Sequence, residues 1–135
     1  MDELASTLRS LYDEALAAAA QSYSPYSRFR VGAALALSNG EIVTGTNVEN
    51  VSYGLTICAE RSAMVQAISR FGPDVRVTAA AIANLNAAPS PPCGACRQFL
   101  AEFIEPDAPV IFTAEEGCVV LPFRELLPHT FKWKP

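Results

Sequence analysis

The stretch Arg30-Val-Gly-Ala-Ala-Leu-Ala-Leu-Ser-Asn-Gly-Glu-Ile-Val-Thr-Gly-Thr-Asn47 decides how this chain folds. Residues 30–37 read as a strand, and their small side chains imply that another element packs closely on it. Asn39-Gly40 is a strong two-residue hairpin signal, so Glu41 to Asn47 is expected to return as a second strand. Before this hairpin, Leu4, Leu8, Leu11, Tyr12, Ala15, Leu16 and Ala19 recur at helical spacing and predict a helix over residues 2–21. Ser22-Tyr23-Ser24-Pro25-Tyr26-Ser27 is turn chemistry and ends it. After the hairpin, residues 50–56 read as a loop. Residues 58–71 read as a helix stopped by Gly72-Pro73. A buried strand over 74–83, a loop over 84–92 and a third helix over 93–104 are expected to follow. Residues 109–113 and 118–121 read as strands, and the tail from 122 has room for one helical turn. Strands and helices intermix, so the expected fold class is α/β, with helices on both faces of the sheet.

The 135 residues and 14.5 kDa fit one domain, taken as residues 1–135. Half of the residues are hydrophobic and 18% are charged, which excludes a disordered chain. Ten basic residues against 14 acidic ones give a net charge of −4 and a pI near 4.9. That balance argues against gripping a nucleic-acid polymer or an anionic membrane surface. Met1-Asp2-Glu3-Leu4 starts acidic where a signal peptide starts basic. The apolar run from Ala15 to Ala20 is too short to span a bilayer. A cytoplasmic protein is expected. In that compartment four cysteines read as metal ligands or reactive thiols more readily than as disulfides.

Two segments carry the chemistry: Cys58-Ala59-Glu60 and Pro91-Pro92-Cys93-Gly94-Ala95-Cys96. Each begins at or near a helix start, where free N–H groups and the helix dipole favour negative charge. Such positions lower a thiol pKa, and the thiolate is the metal-binding form. Cys93 and Cys96 are three residues apart and face one side of a first helical turn. Three thiolates meeting at one point make a zinc site with a fourth position open for water, the catalytic rather than the structural arrangement. Glu60 follows Cys58 too closely to serve comfortably as a further ligand. It is placed to take a proton and pass it to a substrate. The rival readings are a redox dithiol at Cys93 and Cys96 and a zinc-stapled interaction module. The module needs a fourth ligand, for which Cys118 and His129 are the spare candidates. Cys118 reads as core and His129 as surface.

Four segments together resemble the small homotetrameric cytidine deaminases, nearly from end to end. They are Tyr26-Ser-Arg-Phe-Arg-Val-Gly-Ala-Ala34, Asn47-Val-Glu-Asn50, Ser52-Tyr-Gly-Leu-Thr-Ile-Cys-Ala-Glu-Arg61 and Pro92-Cys-Gly-Ala-Cys-Arg-Gln98. The cysteine and glutamate pattern is the known zinc deaminase one. The resemblance implies a three-layer α/β/α fold with a mixed five-stranded sheet. It implies one Zn²⁺ per chain on Cys58, Cys93 and Cys96, with Glu60 as the proton shuttle. It further implies that Asn47 and Glu49 bind the ribose hydroxyls, that Phe29 stacks near the base, and that the Ala59 backbone contacts the pyrimidine. Read from the residues alone, Asn47 and Glu49 at a strand end suit a diol, since Glu accepts and Asn both donates and accepts. The implied reaction is hydrolytic deamination of cytidine or deoxycytidine, with release of ammonia. An antibiotic deaminase of the blasticidin S type is the alternative, and Asn47-Val48-Glu49-Asn50 argues for ribose instead.

Two departures stand out: Arg30, where a proline is common, and His129-Thr130 in the tail. Arg61, beside Glu60, is expected to meet a thiolate sulfur. The tail residues Phe123, Leu126, Leu127, Phe131 and Trp133 read as surplus apolar surface, and with the resemblance they point to a homotetramer.

Overall fold

In the computed structural model, which describes residues 3–131, helix α1 (Glu3–Ala19) lies against strand β1 (Val31–Leu37). The Leu4 side chain and Trp133 lie outside the described residues. Gly32 is what permits the contact: a β-carbon there would stand 2.0 Å from the Ala15 carbonyl oxygen. The small residues of β1 are therefore small because a helix backbone presses on them. Strand β2 (Ile42–Thr46) returns through the Asn39-Gly40 turn, where Gly40 adopts φ 86°, a left-handed value suited to glycine.

The remaining elements are a 3-10 turn (Tyr53–Leu55), α2 (Ala59–Phe71), β3 (Val77–Asn84), α3 (Gly94–Ala101), β4 (Pro109–Thr113), β5 (Cys118–Pro122) and the single turn α4 (Phe123–Leu126). The five strands form one sheet in the order β2-β1-β3-β4-β5. β3 and β4 run parallel and the other neighbours run antiparallel, so the sheet is mixed. Alternation along each strand sorts side chains between two faces. Ala34, Ala79, Ala81, Ala83 and Ile111 pack under α1 with Leu8, Leu11, Tyr12 and Ala15. Ala33, Leu35, Val77, Ala80, Ile82, Val110 and Phe112 pack on the other side with α2 and α3. The expected α/β class, its mixed five-stranded sheet and its helices on both faces are what the structure has.

Several boundaries differ from the sequence reading, each for a tertiary reason. The third helix was expected to reach Ile104 and stops at Ala101. The Phe103 carbonyl instead accepts from the Val77 amide at 2.8 Å, and Ile104 bridges to Val77. β3 starts at Val77 rather than Asp74, because Arg76 and Ser38 exchange hydrogen bonds first. β2 ends at Thr46, one residue short of Asn47. The tail expectation needs correcting too. Phe123 and Leu126 are 4% and 5% exposed and fill this chain's own core. The surplus apolar surface lies mainly elsewhere, at Val51, Tyr53, Leu55 and Val65, with Phe131 also exposed.

Gly45 fixes the second close approach. A β-carbon there would lie 2.4 Å from the Ala63 nitrogen and 2.8 Å from the Ala59 carbonyl oxygen. Gln66 Nε2 also donates to the Thr44 carbonyl at 2.5 Å. The start of α2 is thus seated directly on β2. Gly45→Ala is expected to destabilise the protein by about 1–3 kcal/mol or more, as overpacking against an immovable backbone does. Denaturant unfolding measures it, and an unchanged midpoint would mean that α2 has room to spare.

Candidate metal centre and active site

Cys58 and Cys93 are the N-cap residues of α2 and α3, both in extended conformation. Each gives its carbonyl to the first helical bond: Ser62 N–H donates to Cys58 at 3.0 Å, and Arg97 N–H donates to Cys93 at 2.9 Å. Neither thiol is spent on capping. The two helix starts converge, and Cys96, fully buried on the first turn of α3, completes a group of three.

The three Sγ atoms lie within 4.8 Å of one another. Cys58 and Cys93 are 3.9 Å apart, and Cys93 and Cys96 are 3.4 Å apart. Zinc bound tetrahedrally with Zn–S near 2.3 Å sets its sulfurs about 3.8 Å apart. The cluster therefore fits that ion, and all four cysteines of the chain are free thiols. Three sulfurs make an incomplete tetrahedron, as a reactive centre needs. Cys118 is half-buried against the α1 side of the sheet, with Arg9 at 3.8 Å, and His129 is exposed in the tail. Neither joins the cluster.

The electrostatics favour thiolate at Cys58. Hydrogen bonding with Cys96 is the largest influence bringing Cys58 down to about 5, and Arg61 and Cys93 add to it against the opposing effect of burial. Arg61 reaches Cys58 Sγ at 4.0 Å and is steadied by the Thr56 carbonyl at 3.2 Å. The expected contact between Arg61 and a thiolate is present. Cys96 is pushed up by its hydrogen bond to Cys58 and by burial. Glu60 is 5% exposed, and its burial raises the carboxyl to about 7, partly opposed by its own backbone N–H and assisted by the negative Cys58. A carboxyl poised near neutrality suits proton transfer in either direction.

A cavity of about 240 Å³ opens over this group, near the low end of small-molecule pockets. Cys58, Ala59, Glu60 and Cys93 line it together with Phe29, Asn47 and Glu49. The sequence-derived residues are thus brought together, with Cys96 as the buried sulfur behind the lining. Asn47 and Glu49 lie just beyond β2 and are buried. Asn47 Oδ1 accepts from the Val31 N–H at 3.0 Å, and its Nδ2 donates to the Phe29 carbonyl at 2.7 Å. Glu49 Oε1 accepts from the Tyr26 and Ser27 amides at 2.9 and 3.1 Å, and Oε2 accepts from the Ser27 hydroxyl. The Ser27 hydroxyl is the largest cause holding the Glu49 carboxyl below its usual range.

Sequence reasoning missed Ser27, Tyr53, Thr56 and Ser90 as wall residues. It also missed Arg97, which donates to the Pro92 carbonyl at 2.6 Å and to the Leu126 carbonyl at 2.8 Å. Arg97 thereby pins the loop before Cys93 to the C-terminal turn. Ser27 and Arg97 both sit in segments that carry the resemblance, yet neither residue type announces such contacts.

Residues 5–113 match the family model described as cytidine and deoxycytidylate deaminase zinc-binding region. A cytidine deaminase of Halalkalibacterium halodurans is 46% identical over 122 residues, covering 90% of this chain and 91% of that protein. The Mycobacterium tuberculosis cytidine deaminase is 51% identical over 92 residues, 68% of each chain. Among solved structures, the cytidine deaminase of Burkholderia pseudomallei superposes with a TM-score of 0.82 at 38% identity, covering 97% of this chain and 100% of that one. That of M. tuberculosis gives 0.78 at 38% identity, covering 98% and 100%. The chain belongs to the zinc-binding cytidine and deoxycytidylate deaminase family.

Metal analysis of the purified protein is expected to find one zinc per chain. Cys93→Ala is expected to lose most of it, since two sulfurs hold zinc far less firmly than three. Full retention of zinc by the variant would remove Cys93 from the ligand set.

Proposed function

We infer that the chain is a zinc-dependent cytidine deaminase that hydrolyses cytidine and deoxycytidine to the uridine nucleosides and ammonia. One observation carries the reading: Cys58 and Cys93 of the three-sulfur cluster and the buried Glu60 line the same cavity as Asn47 and Glu49. Chemistry for an amine-bearing ring and donors and acceptors for a sugar thus share one small chamber. The close similarity to named cytidine deaminases along most of the chain supports the same substrate.

Cys58, Cys93 and Cys96 would hold zinc. When bound, zinc supplies the Lewis acidity that lets water act as a nucleophile at neutral pH. The converging N-termini of α2 and α3, together with Arg61, offset the excess negative charge of three thiolates. Glu60 takes up the proton that the attacking water releases. It delivers that proton to the ring nitrogen beside the amino-bearing carbon, then takes a second proton from the hydroxyl added at that carbon and passes it to the amine, which departs as ammonia. Phe29 flanks the base and the Ala59 backbone contacts the pyrimidine. Asn47, with one amide hydrogen unused among the described residues, and Glu49, with one lone-pair site on Oε2 still open, read the sugar hydroxyls. A carboxylate at that place repels phosphate. With the net charge of −4 it favours a free nucleoside over a nucleic-acid polymer.

The working unit is one catalytic domain over residues 1–135, in the cytoplasm, assembled as a homotetramer. Among the described residues no helix is long and apolar enough to cross a membrane. Val51 is 82% exposed and Leu55 66%, on the segment that also supplies Tyr53 and Thr56 to the cavity wall. A partner chain covering this strip would touch the site. Self-complementary contacts of that kind build two-fold assemblies.

Two outcomes test the reading. The protein is expected to bleach the cytidine absorbance, and Glu60→Ala is expected to keep its zinc while losing at least about 10²–10⁴-fold in kcat. Near-normal turnover by the variant would remove Glu60 from the chemistry. Light scattering is expected to give four times the chain mass of 14.5 kDa. A monomer fully active at nanomolar concentration would overturn the assembly.

A further inference from the structure

The turn over residues 22–28 is held in an uncommon shape. Arg28 adopts φ 59°, a left-handed value for a residue with a side chain. Such a conformation persists where its surroundings over-determine it. On one flank the Asn86 Nδ2 donates to the Arg28 carbonyl at 3.0 Å. On the other, three donors from Tyr26 and Ser27 converge on the Glu49 carboxylate. Within the turn, the Arg28 amide donates to the Ser24 carbonyl at 2.9 Å.

Ser27 has a double part in this arrangement. Its amide donates to Glu49 Oε1 at 3.1 Å and its hydroxyl donates to Oε2. The same hydroxyl oxygen accepts from the Phe29 N–H at 3.0 Å. With its proton committed to Glu49 and a lone pair to Phe29, the hydroxyl has one orientation. A carboxylate offers about four lone-pair positions. Two on Oε1 and one on Oε2 are filled from this turn, so the position left is on Oε2, the oxygen that Ser27 holds. Ser27, Phe29 and Glu49 all line the cavity.

We propose that Ser27 is a positioning residue: its hydroxyl fixes the Glu49 oxygen left open to the substrate sugar and ties that carboxylate to the Phe29 backbone. The inference rests on the deaminase reading above. Ser27 itself need not touch the substrate. Its effect passes through Glu49, which sets it apart from a residue that merely stiffens the turn. The cavity wall bearing the zinc-type cluster is built by different elements, α2 and α3, and should not respond.

The test is steady-state kinetics on the intact zinc enzyme for the parent, Ser27→Ala, Ser27→Thr, Glu49→Ala and the Ser27→Ala/Glu49→Ala double variant. Ser27→Ala is expected to raise KM for cytidine about tenfold, the scale of a lost hydrogen bond to a charged group, with kcat within about threefold. Zinc content should stay at the parent value. Ser27→Thr keeps the hydroxyl and should return KM to within about threefold of the parent. In the Glu49→Ala background, Ser27→Ala should change KM by less than about twofold, because the group it positions has gone. A KM unaffected by Ser27→Ala, or an equal further rise in the Glu49→Ala background, would overturn the proposal while leaving the deaminase reading in place. A zinc-loaded parent that does not turn over cytidine would overturn the deaminase reading, and this inference with it.

Discussion

Two helices must start within a few ångströms of each other, with three sulfurs between them. Most of the architecture serves that constraint. The Cys58–Cys93 and Cys93–Cys96 separations of 3.9 and 3.4 Å are close to what a tetrahedral ion demands. Sulfurs held this close tend to be poor neighbours once ionised, so the surroundings must favour negative charge. The free N–H groups at the starts of α2 and α3 do so, and Arg61 adds a full positive charge beside Cys58. The placement of the helices is itself a packing matter. Gly45 lets α2 rest on β2, while Arg97 ties the loop before Cys93 to α4.

The polar side chains that line the cavity with the cluster obey a different rule. Asn47 and Glu49 are buried polar groups, and burial is tolerated only when such groups are hydrogen-bonded. The turn that follows α1 provides the bonds to Glu49, while Phe29 and Val31, leading into β1, provide those to Asn47, and in return the two side chains hold this segment in shape. This lining is therefore formed before any substrate arrives. Preorganised donors and acceptors bind without a further ordering cost. The contrast with Glu60 is chemical. Glu49, surrounded by N–H and O–H donors, stays a carboxylate, whereas the desolvated Glu60 sits near neutrality. Two acids in one chamber are thereby suited to different tasks, one as a fixed acceptor and one as a carrier of protons.

Much of this was readable from the chain. The run of residues 30–37 and the Asn39-Gly40 turn marked the hairpin, and helical spacing marked α1 and α2. Thiols at helix starts marked Cys58, Cys93 and Cys96 as candidate ligands, and the resemblance to the zinc deaminases implied that they meet. What escaped the sequence depended on long-range partners. The early end of α3 follows from Val77 capturing the Phe103 carbonyl, and nothing near residue 101 signals it. Phe123 and Leu126 look like a spare apolar tail until the sheet face they cover is known. Ser27 is an ordinary turn residue until Glu49, 22 positions away, is seen to accept from it. Local pattern identifies elements and reactive groups. Which hydrogen bonds set their exact orientation is a property of the folded chain.

The central claim is that zinc is held here by three sulfurs and no fourth protein ligand. X-ray absorption at the zinc edge of the purified protein tests it most directly. The account predicts three sulfur scatterers at about 2.3 Å and one lighter scatterer, oxygen or nitrogen, at about 2.0–2.2 Å. A shell of four sulfurs, or of two, would contradict it.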